Sequence, residues 1–259
     1  MRQVSKLLAA TTGLICLVYL AICGLLFLSQ RSYIYYPTNR TAAVPSFTLH
    51  RGDADVVMST NGLKSSRALL YFGGNAEDVS HSIRLMSQAF PGAAVYAMHY
   101  RSFGGSTGTP SERALVADGI GPFDLVAKTH SSTSIVGRSL GSGIAIQVAA
   151  SRPIERLVLV TPYNSIAELA AQRFKLFPTQ LILRDKYESW RYINKLQAPT
   201  TLIIAANDQV IPHQSSQKLA KAFPTGAVDL VVIPNTDHNN VSDSPVYFAA
   251  LGGPLAHEN

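Results

Sequence analysis

A serine flanked by two glycines is the feature of this sequence that most directly indicates covalent chemistry. Ser139 is the centre of a Gly-Arg-Ser-Leu-Gly run at residues 137–141. The apolar stretch 134–137 before it is typical of a buried strand, and the stretch 140–151 after it is typical of a helix. Glycines fit a sharp strand-to-helix turn, where little room remains for side chains beside the serine. The pattern predicts a nucleophilic serine, which needs a base to take its proton.

An aspartate and a histidine later in the chain complete the groups that an activated serine needs. Asp208 follows the predicted strand 200–205, and His238 follows the predicted strand 228–233. Histidine, with a pKa near 7, can act as the base, and a carboxylate can fix the imidazole tautomer and stabilise the imidazolium. Ser139, Asp208 and His238 are therefore predicted to form a catalytic triad, in the chain order serine, aspartate, histidine.

Backbone N–H groups beside the serine are candidates for stabilising a negatively charged oxygen. A Phe-Gly-Gly-Asn run at residues 72–75 ends an early predicted strand, and its two glycines allow the backbone to turn and expose an N–H group. Paired with the N–H of Leu140, such a donor would bind the oxyanion of a tetrahedral intermediate. The alternative for this run, taken by itself, is a plain turn.

The elements that must position these residues alternate between strand-like and helix-like stretches. Strands are predicted at 68–72, 93–99, 134–137, 157–160, 200–205 and 228–233, with helices at 78–90, 111–127, 140–151 and 214–223. Runs 47–50 and 55–60 are expected to add antiparallel strands at the front. This alternation predicts an α/β fold, a mostly parallel sheet with helices on both faces. Right-handed crossovers bring the carboxyl ends of the strands to one edge, where sites form.

The stretch 163–196 interrupts this alternation. It carries Phe174, Phe177, Leu181 and Ile182 among basic residues. We interpret it as a small helical cap over the site, whose apolar side chains would line a pocket. The alternative is an ordinary crossover helix with a long loop.

The N-terminal region contains a long uncharged apolar run. Residues 7–28 include no charged side chain, Arg2 and Lys6 precede the run, and Arg31 follows it. As a helix it would be roughly 33 Å long, enough to cross a bilayer. A cleaved signal peptide is the alternative, although its apolar region would be shorter and residues 27–29 are a poor cleavage site. We predict a membrane anchor at 1–30 and a catalytic domain at 31–259.

The basic residues around this run predict the side of the membrane on which the domain lies. Arg2, Lys6 and the α-amino group precede the run, whereas Arg31 and Arg40 follow it within the range over which such charges count. Positive charge tends to stay on the cytoplasmic side, so the domain is expected outside the cytoplasm.

Composition excludes several other classes of protein. Of 259 residues 47% are hydrophobic and 15% are charged, which is not typical of a disordered chain. The net charge is +6, but its basic residues are scattered, and no nucleic-acid partner is predicted. The remaining histidines lack metal-ligand spacing, and both cysteines, Cys16 and Cys23, lie in the apolar run. Neither a metal nor an organic cofactor is expected.

Five motifs of the chain resemble those of a known family. They are Tyr-Phe-Gly-Gly-Asn-Ala-Glu at 71–77, Tyr-Arg-Ser-Phe-Gly-Gly-Ser-Thr-Gly at 100–108, Gly-Arg-Ser-Leu-Gly at 137–141, Asn-Asp-Gln-Val-Ile-Pro at 207–212 and Asp-His-Asn at 237–239. Together they are similar to the Bem46-like α/β hydrolases, which include the membrane-associated ABHD13-like and ABHD17-like proteins. The resemblance implies the α/β-hydrolase fold, with Ser139 as nucleophile, Asp208 as acid, His238 as base and Asn75 and Leu140 as the oxyanion hole.

Two positions depart from the family pattern. Many members have histidine at position 73 and glycine at position 237, where this chain has Gly73 and Asp237. The backbone role of the first loop survives this change, whereas the carboxylate of Asp237 either acts on His238 or faces solvent.

The expected activity is hydrolysis of a carboxylic ester or thioester through an acyl-enzyme, with a small-molecule or lipid-like acyl ester as substrate. A serine peptidase and a non-catalytic membrane-anchored binding protein are the alternatives. The sequence leaves the natural substrate and the oligomeric state open.

Overall fold

A single sheet forms the centre of the computed structural model, which describes residues 2–252. Its eight strands are β1 (Ser46–Arg51), β2 (Ala54–Thr60), β3 (Arg67–Phe72), β4 (Ala94–Met98), β5 (Ser132–Arg138), β6 (Leu157–Val160), β7 (Thr200–Ala205) and β8 (Val228–Ile233). They lie in the order β1-β2-β4-β3-β5-β6-β7-β8. Strand β2 is antiparallel to both of its neighbours, and all pairings from β4 to β8 are parallel.

Eight α-helices accompany the sheet within the same residues. They are α1 (Arg2–Ser29), α2 (Val79–Ala89), α3 (Glu112–Ala127), α4 (Leu140–Ala149), α5 (Ile166–Arg173), α6 (Thr179–Ile182), α7 (His213–Ala222) and α8 (Pro245–Gly252). Short 3-10 turns lie at Gln30–Tyr33, Ser189–Arg191, Ile193–Lys195 and Val241–Asp243. Three helices begin where a side-chain oxygen accepts an otherwise unpaired N–H: Asp78 before α2, Ser111 before α3 and Ser165 before α5.

Two apolar cores lie on opposite faces of the sheet. Leu70 and Phe72 of β3 belong to one core, and Leu69 and Tyr71 of the same strand belong to the other. Successive side chains of a strand point to opposite faces, so a strand covered on both faces is apolar at every position. This explains why the strands could be recognised as continuous apolar runs.

The predicted α/β architecture is confirmed, since each predicted strand and helix is present with ends within two residues of those expected. Helix α8 was not predicted. Its Tyr247 and Leu251 are buried against the core formed by α2 and the neighbouring strands. The predicted end of the catalytic domain at 259, and His257, lie outside the described residues.

Helix α1 is long and apolar enough to cross a membrane, by length and composition. A signal sequence near an N-terminus has the same properties. The segment between β6 and β7 contains α5, α6 and two 3-10 turns, and part of it packs beside α1.

Candidate functional site

The backbone of Ser139 has an unusual conformation that the surrounding glycines permit. Ser139 lies between β5 and α4 with φ 49° and ψ −117°. Residues other than glycine rarely adopt this backbone conformation. A Cβ atom at Gly141 would overlap the carbonyl oxygens of Phe72 and Gly73, and one at Gly137 would overlap Ala145. The helix can therefore start close behind the strand, and the serine side chain projects from a tight turn.

Three predicted site residues meet through hydrogen bonds at the carboxyl edge of the sheet. His238 Nε2 lies 2.9 Å from Ser139 Oγ, and His238 Nδ1 lies 2.7 Å from Asp208 Oδ2. Each of the three residues is only 8% exposed. They come from the loops after β5, β7 and β8, so the parallel strands bring together groups that are distant in sequence.

Asp208 is held in one orientation by its own loop. Its Oδ1 atom accepts hydrogen bonds from the backbone N–H groups of Val210 and Ile211, at 2.8 and 2.7 Å. The other oxygen, Oδ2, is left to accept the Nδ1 proton of His238. Nε2 then carries the lone pair that faces the hydroxyl of Ser139, which is the tautomer required for proton removal.

The predicted oxyanion-hole residues lie next to the serine. A Cβ atom on Gly74 would be 3.7 Å from the Cβ of Ser139, so the loop that carries Asn75 passes directly beside it. The side-chain oxygen Oδ1 of Asn75 accepts the N–H of Tyr36 at 2.9 Å. Leu140 is the first residue of α4, where the N–H has no acceptor within the helix and the helix dipole favours negative charge.

A partly buried polar network connects the loops around this site, and our sequence analysis did not assign it a role. Glu77 accepts hydrogen bonds from the Tyr71 hydroxyl at 2.8 Å and from the Gly74 N–H at 2.6 Å. Arg138 Nη1 lies 3.6 Å from Glu77, and Arg138 Nη2 donates to the carbonyl of His238 at 3.1 Å. Burial raises the pKa of Tyr71, which keeps its hydroxyl a donor. The signal available in the sequence was one acidic and one basic residue, Glu77 and Arg138, within two of the motifs that resemble the family.

Asp237, the residue that departs from the family pattern, serves its own loop. Its Oδ1 accepts the N–H groups of Asn239 and Asn240 at 2.8 and 3.0 Å. These two hydrogen bonds lower the pKa of the carboxyl group. The carboxylate of Asp237 therefore accepts hydrogen bonds within the turn that carries His238, whereas the imidazole of His238 is hydrogen-bonded to Asp208.

An apolar cavity of about 200 Å³ lies between the end of α1 and the segment that follows β6. Its lining comprises Leu26, Gln30, Tyr33, Ile34, Ile166, Ala170, Phe174, Phe177, Thr179, Ile182 and Leu183. Phe174, Phe177 and Ile182 line it, whereas none of the candidate catalytic or oxyanion-hole residues does. Leu181 is not among the lining residues and is 85% exposed, so its expected position was wrong.

Titratable side chains between residues 2 and 252 include no cluster of three or more that could hold a metal ion.

No family model matches the chain, but curated proteins are similar to most of it. An uncharacterized protein of Mycobacterium tuberculosis is 29% identical over 245 residues, which cover 88% of this chain and 87% of that protein. Protein bem46 of Schizosaccharomyces pombe is 26% identical over 222 residues, covering 80% and 73%. Lysophosphatidylserine lipase ABHD12 of Macaca fascicularis is 28% identical over 189 residues, covering 64% of this chain and 48% of the lipase.

Solved structures share the fold at low identity. Est1E from Butyrivibrio proteoclasticus superposes with a TM-score of 0.64 at 14% identity, covering 79% of this chain and 96% of Est1E. An α/β hydrolase from a deep-sea metagenome, MGS-M2, gives 0.64 at 16% identity, covering 83% and 100%. The architecture described above is therefore the α/β-hydrolase fold.

Proposed function

We propose that this chain, a homologue of the Bem46-like α/β hydrolases, is a membrane-anchored serine hydrolase that cleaves a carboxylic ester or thioester. The observation that carries the proposal is the buried series of hydrogen bonds from Asp208 through His238 to Ser139. Proteins similar to the chain include a lipase by name, which supports an ester as substrate.

The proposed reaction proceeds through an acyl-enzyme. Ser139 Oγ attacks the carbonyl carbon of the substrate while His238 Nε2 takes the hydroxyl proton. The N–H groups of Asn75 and Leu140 bind the resulting oxyanion. His238 then protonates the leaving alcohol or thiol, and the ester bond to it breaks. Water, deprotonated by His238, attacks the acyl-enzyme and releases the carboxylic acid and free Ser139.

A fluorophosphonate probe tests this proposal because it reacts only with an activated serine. We expect one probe molecule per chain, attached to Ser139 and detected by mass spectrometry of the labelled peptide. Heat-denatured protein is the control and should remain unlabelled. Absence of labelling in the folded protein would favour the alternative of a non-catalytic binding protein. Cleavage of amide substrates by a labelled enzyme would instead favour a serine peptidase.

The segment 163–196 is proposed to act as a cap, and the acyl group is proposed to be apolar. The cavity lined by Phe174, Phe177 and Ile182 supports this, because an apolar pocket favours an apolar ligand. Each buried methylene contributes at most about 0.8 kcal/mol, or roughly fourfold in kcat/KM. We expect kcat/KM for p-nitrophenyl esters to rise from acetyl to octanoyl. A flat profile would contradict a chain-binding pocket.

The catalytic domain is proposed to lie outside the cytoplasm, with α1 as a single-pass anchor. Arg2 and Lys6 before the apolar run support a cytoplasmic position for that end. Protease added to intact cells, or to spheroplasts where an outer membrane is present, should digest the domain. A cytoplasmic marker protein is the control. A domain that stays protected until the inner membrane is lysed would place it in the cytoplasm.

A further inference from the structure

Helix α1 and the turn after it contact the segment 174–183, which we call the cap tip, through ring stacking and hydrogen bonds. Tyr19 stacks on Phe177 with 5.8 Å between ring centroids, and its hydroxyl donates to the carbonyl of Leu176 at 2.9 Å. Near the end of the helix, Gln30 donates to the carbonyl of Ile182 at 3.1 Å and accepts the N–H of Arg184. The cap tip thus runs beside the last eleven residues of α1, a length of roughly 16 Å.

The end of α1 is also joined to a buried carboxylate just beyond the cap tip. Arg31 Nε lies 3.0 Å from Asp185 Oδ2, and the Tyr35 hydroxyl donates to the same oxygen at 3.2 Å. These contacts fix the orientation of α1 relative to the domain. A bilayer crossed by α1 therefore meets the cap tip rather than another face of the protein.

The cap tip has the surface expected of a segment in lipid. Leu176 and Leu181 are 83% and 85% exposed, far more than apolar side chains packed in a core. Arg173, Lys175 and Arg184 flank them, and such long basic side chains can extend to lipid phosphates while their stems stay in apolar surroundings.

The backbone of the cap tip is also suited to an apolar environment, where unpaired N–H groups are costly. The N–H groups of Phe177, Thr179, Leu181, Ile182 and Leu183 donate hydrogen bonds within it, and the N–H of Phe174 donates to Ala170 of α5. Two carbonyls, those of Leu176 and Ile182, accept from Tyr19 of α1 and from Gln30 of the turn that follows it. More than half of the backbone N–H and carbonyl groups of the cap tip therefore keep a hydrogen bond on leaving water.

The apolar cavity lies between these same two elements. Leu26, Gln30, Tyr33 and Ile34 line it from the α1 side, and cap residues line the opposite side. At about 200 Å³ it is smaller than pockets for compact drug-sized ligands, which are roughly 300–1,000 Å³, and it suits a slender chain. Two residues beyond Ile34, the N–H of Tyr36 donates to the side chain of Asn75, so the chain segment that leaves the cavity contacts the loop beside Ser139.

We infer that the cap tip inserts into the same membrane as α1, and that the cavity between them receives the acyl chain of a lipid ester directly from the bilayer. This inference rests on the proposed function and anchor, and it assigns them a substrate class. A membrane lipid is the favoured occupant because both walls of the cavity belong to elements that contact the bilayer.

Insertion is tested by placing tryptophan in the cap tip of the full chain in phosphatidylcholine vesicles. In a Trp190→Phe background, which removes the single native tryptophan, Leu176→Trp and Leu181→Trp should show blue-shifted emission and strong quenching by acyl-brominated lipids. Leu63→Trp is the control, since Leu63 is exposed and precedes β3, at the edge of the sheet opposite Ser139. Unquenched emission at both 176 and 181 would overturn the inference.

Chain entry is tested by filling the cavity. Ala170→Phe should lower the ratio of octanoyl to acetyl ester kcat/KM at least tenfold, because the ring would occupy the space of the chain. Gln172→Phe, on the exposed side of the same helix, should leave this ratio unchanged. A wild-type ratio in folded Ala170→Phe would overturn the assignment. If the wild-type protein did not hydrolyse the acetyl ester at all, the proposed function would be contradicted. The quenching measurement does not depend on activity and would still decide whether the cap tip inserts.

Discussion

Replacing Ser139 with alanine is expected to lower kcat for short acyl esters by several orders of magnitude. The substitution removes the Oγ atom that would form the acyl bond, and it leaves His238 without a proton to take. A triad serine in other enzymes has an effect of this size, and the residual rate comes from binding and the oxyanion hole. Hydrolysis of p-nitrophenyl acetate measures the loss.

A second serine provides the matched control for this change. Ser151 lies just after α4, where its hydroxyl donates to the Gln147 carbonyl, and Ser151→Ala should leave kcat close to the wild-type value. Both variants should have wild-type circular dichroism and melting temperature. Unchanged turnover in a folded Ser139→Ala protein would show that another residue is the nucleophile.

Replacing Asp208 with asparagine is expected to lower turnover by up to about 10⁴. The side-chain oxygen of asparagine would stay with the N–H groups of Val210 and Ile211, which surround the present Oδ1. The amide NH₂ would then face Nδ1 of His238 and donate to it. The ring proton would move to Nε2, which could no longer accept the proton of Ser139.

Asp237→Asn is the matched control because it makes the same change one residue before the histidine. An asparagine oxygen can still accept from the N–H groups of Asn239 and Asn240, so the loop should keep its shape. We expect a small change in kcat. A large loss at Asp237 with a small loss at Asp208 would show that the wrong carboxylate was assigned.

The fold could be predicted from local patterns because most elements have a clear apolar signature. Strands such as Leu157–Val160 are buried on both faces and form unbroken apolar runs. Ser139, Asp208 and His238 could be placed at one edge because parallel strands end together. Helix α8 was missed because its sequence, Pro-Val-Tyr-Phe-Ala-Ala-Leu-Gly, is apolar throughout and lacks helical periodicity.

Contacts between residues far apart in the chain could not be predicted. The Glu77–Arg138 pair depends on how β3 and β5 lie side by side, which local patterns do not specify. The contact of Tyr19 with Phe177 depends on the direction in which α1 leaves the domain. Leu181 was expected in the pocket because it is apolar, but hydrophobicity alone does not specify which side of a short helix is covered.

The guanidinium of Arg138 links two loops at the carboxyl edge of the sheet. It joins the loop after β3, through Glu77, to the loop after β8, through the carbonyl of His238. Displacement of either loop would break a contact of Arg138. The loops that carry Asn75 and His238 are therefore joined to each other through the residue that directly precedes Ser139.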